Sequence, residues 1–541
     1  MKKHTTCLIS VIAASIFITA ATNPATAQNT ARGQDSAIGA QEHPKILQTY
    51  GGVYDEPKVS GYVATIGGRI AANSEQPKSS FRFTVLDSPE VNAFALPGGY
   101  VYVTRGLVSL ANSEAELASV LAHEIGHVTA RHSAQRQNQS MGLALGGALL
   151  GALTGNRMVN DLVNQGSQLY LLKYSRDQEF QADQLGIRYL TQAGYDPYAG
   201  ADFLESMQQH AALERTLRGE QASERGDFLA THPTTPKRIV EAIAQAKATG
   251  LKIAAHPRLQ NEFLNAIDGM IYGGSYEHGF IRDLTYSHPK LRFTFSVPAG
   301  FRLMDQPTAI LAKGPGNAQM KFDMVPLERN MPMVDFLARV WAAKAQLSGV
   351  ESLTINGLEA ATGVTQLQSN SGPIMARLVA IRFQTNKAAR FIMLIPNPAP
   401  AGLVEGYQRM TYSFRPLSQP EAARLRPMQI KIVQVRKGDT VESLAALMPP
   451  GDNRVMRFAA LNGLSQGERL ARGSRVKLVV QQGACAEGGP NSRACDAVRQ
   501  QEAMPNPVRD QNSWQNPDDL QESQPPEPRR EPRRDQDTWR R

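Results

Sequence analysis

Cysteine is scarce in this chain, with three residues in 541. The first, Cys7, begins an apolar stretch that runs to Ala21, with Lys2 and Lys3 before it and Ala25-Thr26-Ala27 after it. This order predicts a secretory signal over residues 1–27, cleaved after Ala27; an uncleaved anchor is the alternative. Because Cys7 lies too early in the apolar stretch for lipid attachment, we do not expect a lipoprotein.

Cleavage of the signal would leave Cys485 and Cys495, with nine residues between them. An exported bacterial protein meets the oxidising periplasm, where a small disulfide loop is favoured over metal binding or free thiols. We therefore predict a periplasmic protein.

Long apolar runs and clustered basic residues are also missing. No stretch after Ala21 has the length of a membrane span. The charge excess of +9 is spread along the chain, without the basic stripe beside aromatic residues that nucleic-acid binding needs. We therefore do not expect nucleic acid as a partner. With 541 residues and 42% apolar content, the chain should form roughly two to four globular domains.

The stretch Leu121–Val128 contains His123, Glu124 and His127 in the order H-E-x-x-H. On a helix, positions i and i+4 share one face, so both imidazoles can reach a single metal ion, and Glu124 can act as general base toward a metal-bound water. Ser113 and Glu116 form a capping-box pattern that predicts a helix start just before this motif. The alternative is a pair of core histidines satisfied by their neighbours.

A third metal ligand is predicted from a second helix. Glu179 and Asp183 are again four residues apart, so one carboxylate can bind the metal while the other accepts the free N–H of a ligand histidine. Two histidines and one glutamate leave a fourth position open to water, as catalytic zinc sites do. The alternative is a solvated acidic helix face.

Two further candidates follow in the chain. His232, in the turn Thr231-His-Pro233, could fill the open metal position at rest or donate a hydrogen bond to the oxyanion of the reaction. Arg238, on a helix predicted from Thr235-Pro236 to Ala248, could stabilise developing charge or pair with an acid. A turn histidine without a catalytic role is the alternative for His232.

A β-hairpin is predicted just before the metal helix. Pro97-Gly98-Gly99 joins two β-prone stretches, Val91–Leu96 and Tyr100–Thr104. Its edge could bind a peptide substrate by strand addition, although an ordinary sheet edge has the same pattern. The candidate substrate-binding residues are Asn92, Ala93, Phe94 and Ala95.

The combination of His123-Glu-x-x-His127, Glu179-x-x-Ala-Asp183 and Asn92–Gly99 resembles the zinc metallopeptidase family of CAAX prenyl endopeptidases, HtpX and BepA. The resemblance covers roughly residues 45–250 and implies a gluzincin fold, in which His123, His127 and Glu179 hold zinc and Glu124 is the base. In BepA-like members a His-Pro turn caps the zinc, and His232-Pro233 matches it. The chain departs from the family in lacking multiple membrane spans, and beyond residue 260 it lacks a tetratricopeptide period.

The predicted fold class is a multidomain α+β chain, with a mainly helical gluzincin peptidase domain at 45–260 that carries a small β-hairpin sheet. A flexible lead-in at 28–44 precedes it. Residues 141–154, rich in glycine and small apolar residues, should form a packed helix or lid, and peripheral membrane contact is the alternative. An α+β domain at 285–418 faintly resembles PsbP-like domains.

The C-terminal part is predicted to hold a small module and a tail. Residues 429–480 resemble a LysM module, the βααβ fold that binds N-acetylglucosamine polymers, and retention of the fold without glycan binding is the alternative. The polar, proline- and arginine-rich segment 481–541 should be disordered.

The predicted function is a periplasmic zinc endopeptidase that cleaves misfolded or envelope proteins, with Zn²⁺ as its cofactor. Two alternatives remain. One is a non-proteolytic chaperone or assembly factor of the cell envelope, and the other is a metallohydrolase associated with peptidoglycan through residues 429–480. The sequence gives neither the substrate nor the oligomeric state.

Overall fold

The fold is that of a computed structural model, which describes residues 24–483 except 78–79, 134, 136–173, 219–231, 233–235, 307, 329, 370–371, 452 and 466. The predicted lid at 141–154, both C-terminal cysteines and nearly all of the predicted signal and tail lie outside the described residues. Within the part that is described, every helix is too short or too polar to cross a lipid bilayer. The described residues form a mixed α and β protein with four sheets.

The N-terminal segment forms two helices, α1 (Pro24–Thr49) and α2 (Pro57–Ala72), as the breaks at Gly51-Gly52 and Pro57 predict. Both glycines have positive φ angles, of 81° and 95°, which favour glycine. The predicted flexible lead-in at 28–44 differs from the structure, in which these residues belong to α1. The helix is held because apolar side chains near its end, such as Ile46, pack on the adjacent sheet.

That sheet has three strands, β1 (Arg82–Leu86), β2 (Ala93–Leu96) and β3 (Tyr100–Thr104), in the order β1-β3-β2. β2 and β3 form the predicted antiparallel hairpin, and β1 runs parallel to β3. Because side chains alternate along a strand, β2 places Phe94 under α1 and Ala93 in the main core. β2 is an edge strand of its sheet.

Between residues 105 and 267, the described part of the chain forms six helices: α3 (Arg105–Leu110), α4 (Glu114–Thr129), α5 (Arg176–Gln192), α6 (Ala199–Arg218), α7 (Pro236–Ala248) and α8 (Gln260–Ile267). α4 begins where Ser113 Oγ accepts the Glu116 N–H. α5 begins at Ser175, in a reciprocal capping box with Gln178.

Helices α4 and α5 approach closely at two glycines. A Cβ atom on Gly186 would lie 3.1 Å from the His123 backbone nitrogen, and one on Gly126 would lie 3.1 Å from the Ala182 carbonyl oxygen. The small residues therefore allow the two helices that carry the predicted ligands to pack side by side.

The central unit, residues 280–418, contains a seven-stranded antiparallel sheet in the order β11-β12-β13-β14-β10-β9-β8 and a four-stranded sheet, β15-β7-β6-β5. It has two hydrophobic clusters of its own. Its strands are β5 (Phe280–Arg282), β6 (Thr285–His288), β7 (Phe293–Ser296), β8 (Arg302–Gln306), β9 (Ala309–Lys313), β10 (Gln319–Pro326), β11 (Ser348–Ile355), β12 (Leu358–Ser369), β13 (Gly372–Phe383), β14 (Lys387–Ile395) and β15 (Arg415–Pro416).

The central unit contains helix α9 (Leu403–Ser413), and α10 (Gln419–Arg424) follows directly after the unit ends. A short helical segment precedes β11. It consists of Met333–Asp335 and a π-helical turn at Phe336–Trp341, in which the Ala342 N–H bonds to the Leu337 carbonyl. The wider turn ends the helix, and the chain enters β11 at Ser348.

The βααβ unit, residues 428–481, has the order predicted for it: β16 (Met428–Gln434), α11 (Val441–Ala445), α12 (Arg454–Leu461) and β17 (Arg475–Gln481). β16 pairs antiparallel with β17 and also with β4 (Ile271–Tyr272). Residues of this unit, among them Ile430 and Leu478, share one hydrophobic core with α2, α4 and α8.

The central unit is therefore an insertion in the chain between two parts that share a core. Its ends lie together, because Arg426 Nη1 donates to the Tyr276 hydroxyl at 3.4 Å and Arg282 Nη2 donates to the Arg426 carbonyl at 2.6 Å. The consequence is that the N-terminal helices and the βααβ unit form one packed body around the predicted site.

Candidate metal centre

The metal-motif helix α4 directs both of its histidines into one buried space. His123 Nε2 and His127 Nε2 lie 3.0 Å apart, as expected of side chains one turn apart on a single helix face. Glu124, between them in sequence, is fully buried. The structure therefore brings together the three residues of the predicted motif.

Helix α5 brings the predicted third ligand to the same space. The Glu179 carboxylate places Oε1 3.5 Å from His127 Nε2 and Oε2 3.6 Å from His123 Nε2. The Glu179 side chain is almost fully buried.

His232 completes the cluster. Its Nδ1 atom lies 2.9 Å from Glu179 Oε1 and 3.2 Å from His123 Nε2, and its Nε2 atom lies 3.5 Å from Glu124 Oε1. The ligand atoms of His123, His127, Glu179 and His232 all lie within 4.8 Å of one another. His232 Nδ1 therefore lies among the atoms that could hold a metal ion.

The spacing of these four donors fits zinc. A tetrahedral zinc ion with bonds of about 2.0–2.1 Å holds its donor atoms roughly 3.3 Å apart. With Glu179 Oε1 as the carboxylate donor, four distances between donor atoms run from 2.9 to 3.5 Å. Three imidazole nitrogens and one carboxylate oxygen are also the donor types that zinc prefers.

The protonation of the cluster suits a cation as well. Burial holds the pKa of His127 well below its usual value of 6.5, so this imidazole is neutral. Burial by itself would raise the pKa of Glu179, but the neighbouring His232 and His127 outweigh it and hold that pKa well below 4.5. Neutral imidazoles and an ionised carboxylate are the forms that bind a metal.

Asp183 and Arg238 support two of the ligands. Asp183 Oδ1 accepts a hydrogen bond from His123 Nδ1 at 2.9 Å, which leaves the Nε2 lone pair of His123 directed at the cluster. Arg238 binds Asp183 through Nε and Nη2, at 2.8 and 2.7 Å, and Glu179 Oε2 through Nη1 at 2.7 Å. Of the two roles predicted for Arg238, the structure shows pairing with acids.

Burial would raise the pKa of Asp183, yet the Arg238 guanidinium holds it below 3.8. The carboxylates of Asp183 and Glu179 raise the pKa of Arg238, although burial by itself would lower it. The Arg238 guanidinium therefore remains charged. It holds both Oε2 of the predicted ligand Glu179 and the Asp183 carboxylate, which in turn accepts the hydrogen bond of His123.

The candidate substrate edge, Asn92–Ala95, is placed differently from the ligands. Asn92 Nδ2 donates to the Tyr50 hydroxyl at 3.2 Å, and Phe94 packs beside it under α1, whereas Ala93 and Ala95 face the main core. All four side chains are buried. Any contact between this edge and a peptide would therefore run through the backbone of β2.

Three residues near the ligands were missed in the sequence. His132 Nδ1 lies 2.8 Å from His127 Nδ1, His132 Nε2 lies 3.0 Å from Gln181 Oε1, and the Tyr174 ring stacks on His127 with centroids 3.7 Å apart. The signal that was available is the position of His132 directly after the metal helix.

Residues 57–247 match the model of Peptidase family M48, and this range contains all four residues of the cluster. The chain is similar to the Beta-barrel assembly-enhancing protease of Yersinia pestis, at 31% identity over 219 residues, covering 39% of this chain and 42% of that protein. It is similar to the mitochondrial metalloendopeptidase OMA1 of Arabidopsis thaliana, at 37% identity over 177 residues, covering 32% and 33%. The matched region spans less than half the length of these curated relatives.

Among solved structures, the chain is similar to the solution structure of cyanobacterial PsbP (CyanoP) from Synechocystis, at 11% identity. The match covers 24% of this chain and 91% of that chain, with a TM-score of 0.20. A TM-score this low does not establish a shared fold, so the PsbP-like character of residues 285–418 stays a prediction.

Proposed function

We propose, on the premise that residues 57–247 form a domain of Peptidase family M48, that this chain is a zinc-dependent endopeptidase that cleaves proteins of the bacterial envelope. The observation that carries the proposal is the convergence of His123, His127, Glu179 and His232 next to the buried Glu124. A site of this composition can hold a metal ion with a general base beside it.

Each residue has a role that follows from its position. Bound zinc would supply a Lewis acid, which lowers the pKa of a water molecule and polarises a carbonyl group. Glu124 accepts the proton of the attacking water and passes it to the leaving nitrogen. Asp183 and Arg238 hold His123 and Glu179 in place, so that the donor geometry is set before a substrate arrives.

His232 restrains the site at rest. With its Nδ1 atom among the ligand atoms, the cluster has four protein donors, which is the composition of a closed site. Catalysis needs one of these positions for water or substrate, so His232 must leave the ligand ring before cleavage. Once displaced, it can donate a hydrogen bond to the oxyanion.

The substrate class is proposed from two sources. One is the similarity to proteins named beta-barrel assembly-enhancing proteases, and the other is the predicted export signal, which would deliver the chain to the periplasm. The backbone edge of β2 is the proposed place for an extended peptide, through strand addition. Misfolded or incompletely assembled envelope proteins expose such extended segments.

The test is Glu124→Gln in the full chain, with casein digestion and zinc content as the two measurements. Removal of a general base should slow cleavage roughly 100- to 10,000-fold while one zinc remains bound. Glu241→Gln, an exposed substitution of the same type on α7, is the matched control and should leave both unchanged. Cleavage by zinc-replete Glu124→Gln at the parental rate would falsify the role of Glu124.

The same variant separates the proposal from a non-proteolytic role. If the chain acts as a chaperone or assembly factor, Glu124→Gln should complement a deletion strain as well as the parent does. If proteolysis is the function, complementation should fail.

The βααβ unit supports a second, additional role in binding peptidoglycan. Its order of elements is that of the LysM fold which the sequence resembles. Because the unit shares a core with the N-terminal helices, the test uses the full chain and isolated peptidoglycan sacculi. Sedimentation of the chain with sacculi supports glycan binding, and recovery in the supernatant at every protein concentration counts against it.

A further inference from the structure

The second ring nitrogen of His127 makes an unusual contact. In His123 the nitrogen that faces away from the cluster bonds to a carboxylate, Asp183. In His127 the corresponding atom, Nδ1, lies 2.8 Å from Nδ1 of another imidazole, His132, which is fully buried. The two ligand histidines are thus supported by groups of different charge.

The backbone is bent in order to place His132 there. Helix α4 ends at Thr129, and Arg131 then adopts a φ angle of 58°, in the left-handed region that residues other than glycine rarely adopt. This turn folds the chain back, so that a residue five positions after His127 meets its ring. An ion pair between Arg131 and Asp35 on α1, at 2.9 Å, holds the turn.

The hydrogen bonds determine the tautomer of both rings. Gln181 Oε1 can only accept, so His132 carries its proton on Nε2, 3.0 Å away. His132 Nδ1 is then an acceptor, and His127 must donate to it from its own Nδ1. The remaining nitrogen of His127, Nε2, therefore presents a lone pair to the cluster, as a metal ligand must.

We propose that His132 is the positioning residue of the metal ligand His127, acting through a hydrogen-bond chain that runs from Gln181 through His132 to His127. The chain spans the two metal helices, because Gln181 lies on α5 between Glu179 and Asp183. Helix α5 thus supplies a ligand, the partner of His123 and the acceptor that orients His132. This inference rests on the proposed zinc site.

Substitutions that exchange the hydrogen-bond acceptor of Gln181 for a donor test the hydrogen-bond chain. They do not disturb the core, because this side chain is exposed. Gln181→Glu keeps an acceptor for His132 Nε2–H and should retain parental zinc affinity or exceed it. Gln181→Lys offers only donors, which favours the other tautomer of His132 and opposes the ligand tautomer of His127. The zinc dissociation constant of the full chain, measured by competition with a chelator, should rise roughly 10-fold or more.

A charge effect has to be separated from the tautomer effect. Gln184→Glu and Gln184→Lys place the same charges on an exposed position of the same helix, three residues away. The zinc dissociation constants of these two variants should differ far less than those of Gln181→Glu and Gln181→Lys. An equal difference at both positions would overturn the proposal, since distance-dependent electrostatics would then account for the result.

Substitution of His132 itself gives the second measurement. His132→Phe keeps an aromatic ring but removes the acceptor, and we expect the zinc dissociation constant to rise roughly 10- to 100-fold. His132→Asn can place an amide oxygen near the position of Nδ1 and should recover most of that loss. His288→Phe, at a buried histidine of the central unit, is the matched control and should leave zinc affinity unchanged.

The outcomes are distinct. Parental zinc affinity in a folded His132→Phe, or equal losses in His132→Phe and His132→Asn, would contradict the proposal, because ring packing alone would then explain the position of His132. Absence of zinc binding by the parent would overturn both this inference and the proposed function. A parent that binds zinc but cleaves no protein would refute only the proposed function, since metal affinity is the readout here.

Discussion

At the scale of single residues, the role proposed for His232 is to separate a closed site from an open one. Its Nδ1 atom lies within 3.2 Å of two other ligand atoms, whereas its Nε2 atom faces Glu124. Three protein ligands remain when it is removed, and these suffice for catalytic zinc. Its removal should therefore open the site and leave the metal bound.

We accordingly expect His232→Ala to bind one zinc with weaker affinity and to digest casein faster than the parent. The rate rises because water and substrate gain the fourth position without displacing a protein ligand. Initial rates at saturating zinc are the measurement. A slower His232→Ala that still holds one zinc would show that transition-state stabilisation by His232 outweighs its restraint.

Lys477 is the second residue with a long-range role. It is fully buried on β17, and its Nζ atom donates to the carbonyls of Ser109, Leu110 and Ala111 at 2.8, 3.1 and 2.7 Å. These carbonyls end α3, just before the cap of the metal helix. One ammonium group therefore joins the βααβ unit to the start of α4.

Lys477→Met should lower the free energy of unfolding by roughly 1–3 kcal/mol, because the buried carbonyls of Ser109, Leu110 and Ala111 lose their hydrogen-bond donor. Urea denaturation at pH 6, where the ammonium form is present, is the measurement. The exposed Lys437→Met should stay within roughly 0.5 kcal/mol of the parent. Equal stability of the two variants would show that the contacts of Lys477 contribute little.

The same lysine makes stability depend on pH. Burial lowers the pKa of Lys477 to about 7, whereas an unfolded lysine titrates near its usual value of 10.5. Between these values the unfolded state binds more protons, so the contribution of Lys477 makes the free energy of unfolding rise with pH from about 7 to 10. Lys477→Met should remove this part of the rise, as denaturation at pH 7, 8.5 and 10 would show.

At the scale of elements, the sequence was most informative where local chemistry and function coincide. The pairing of Ser113 with Glu116 predicts where the helix begins. The four-residue spacing of His123 and His127 predicts that both side chains lie on one helix face and can reach one metal ion. The hairpin turn at Gly98-Gly99 was equally readable, because both glycines need positive φ. These features depend on neighbours within a few residues.

Other elements depend on contacts between distant parts of the chain, and the sequence did not reveal them. The bend at Arg131 that places His132 against His127 has no residue type that predicts it. A lysine inside the apolar strand β17 was a visible signal, yet its partners on α3 lie more than 360 residues away.

At the scale of the whole molecule, the βααβ unit belongs to the same body as the metal helices. Ile430, Ile432 and Leu478 lie in one core with Leu110 and Phe263. The central unit, in contrast, has separate cores, and its ends meet near Tyr276 and Arg426. The two predicted downstream regions therefore differ in how they support the site.

A pair of deletions tests this arrangement. Replacement of residues 279–425 by a short Gly/Ser linker should preserve zinc binding and cooperative unfolding, because no part of the shared core is removed. Truncation after Pro427 should abolish both, since it exposes the core side of α8 and α4. Zinc content and thermal unfolding of the soluble fraction are the measurements. A stable, zinc-binding truncated chain would contradict the shared core.

The most direct test of the central claim is X-ray absorption at the zinc K-edge of the purified full chain. The claim is that His123, His127, Glu179 and His232 hold one zinc ion. It predicts a four-coordinate shell with three imidazoles and one carboxylate oxygen at about 2.0–2.1 Å, and one imidazole fewer in His232→Ala. A shell with fewer than three imidazoles in the parent, or a six-coordinate oxygen shell, would contradict it.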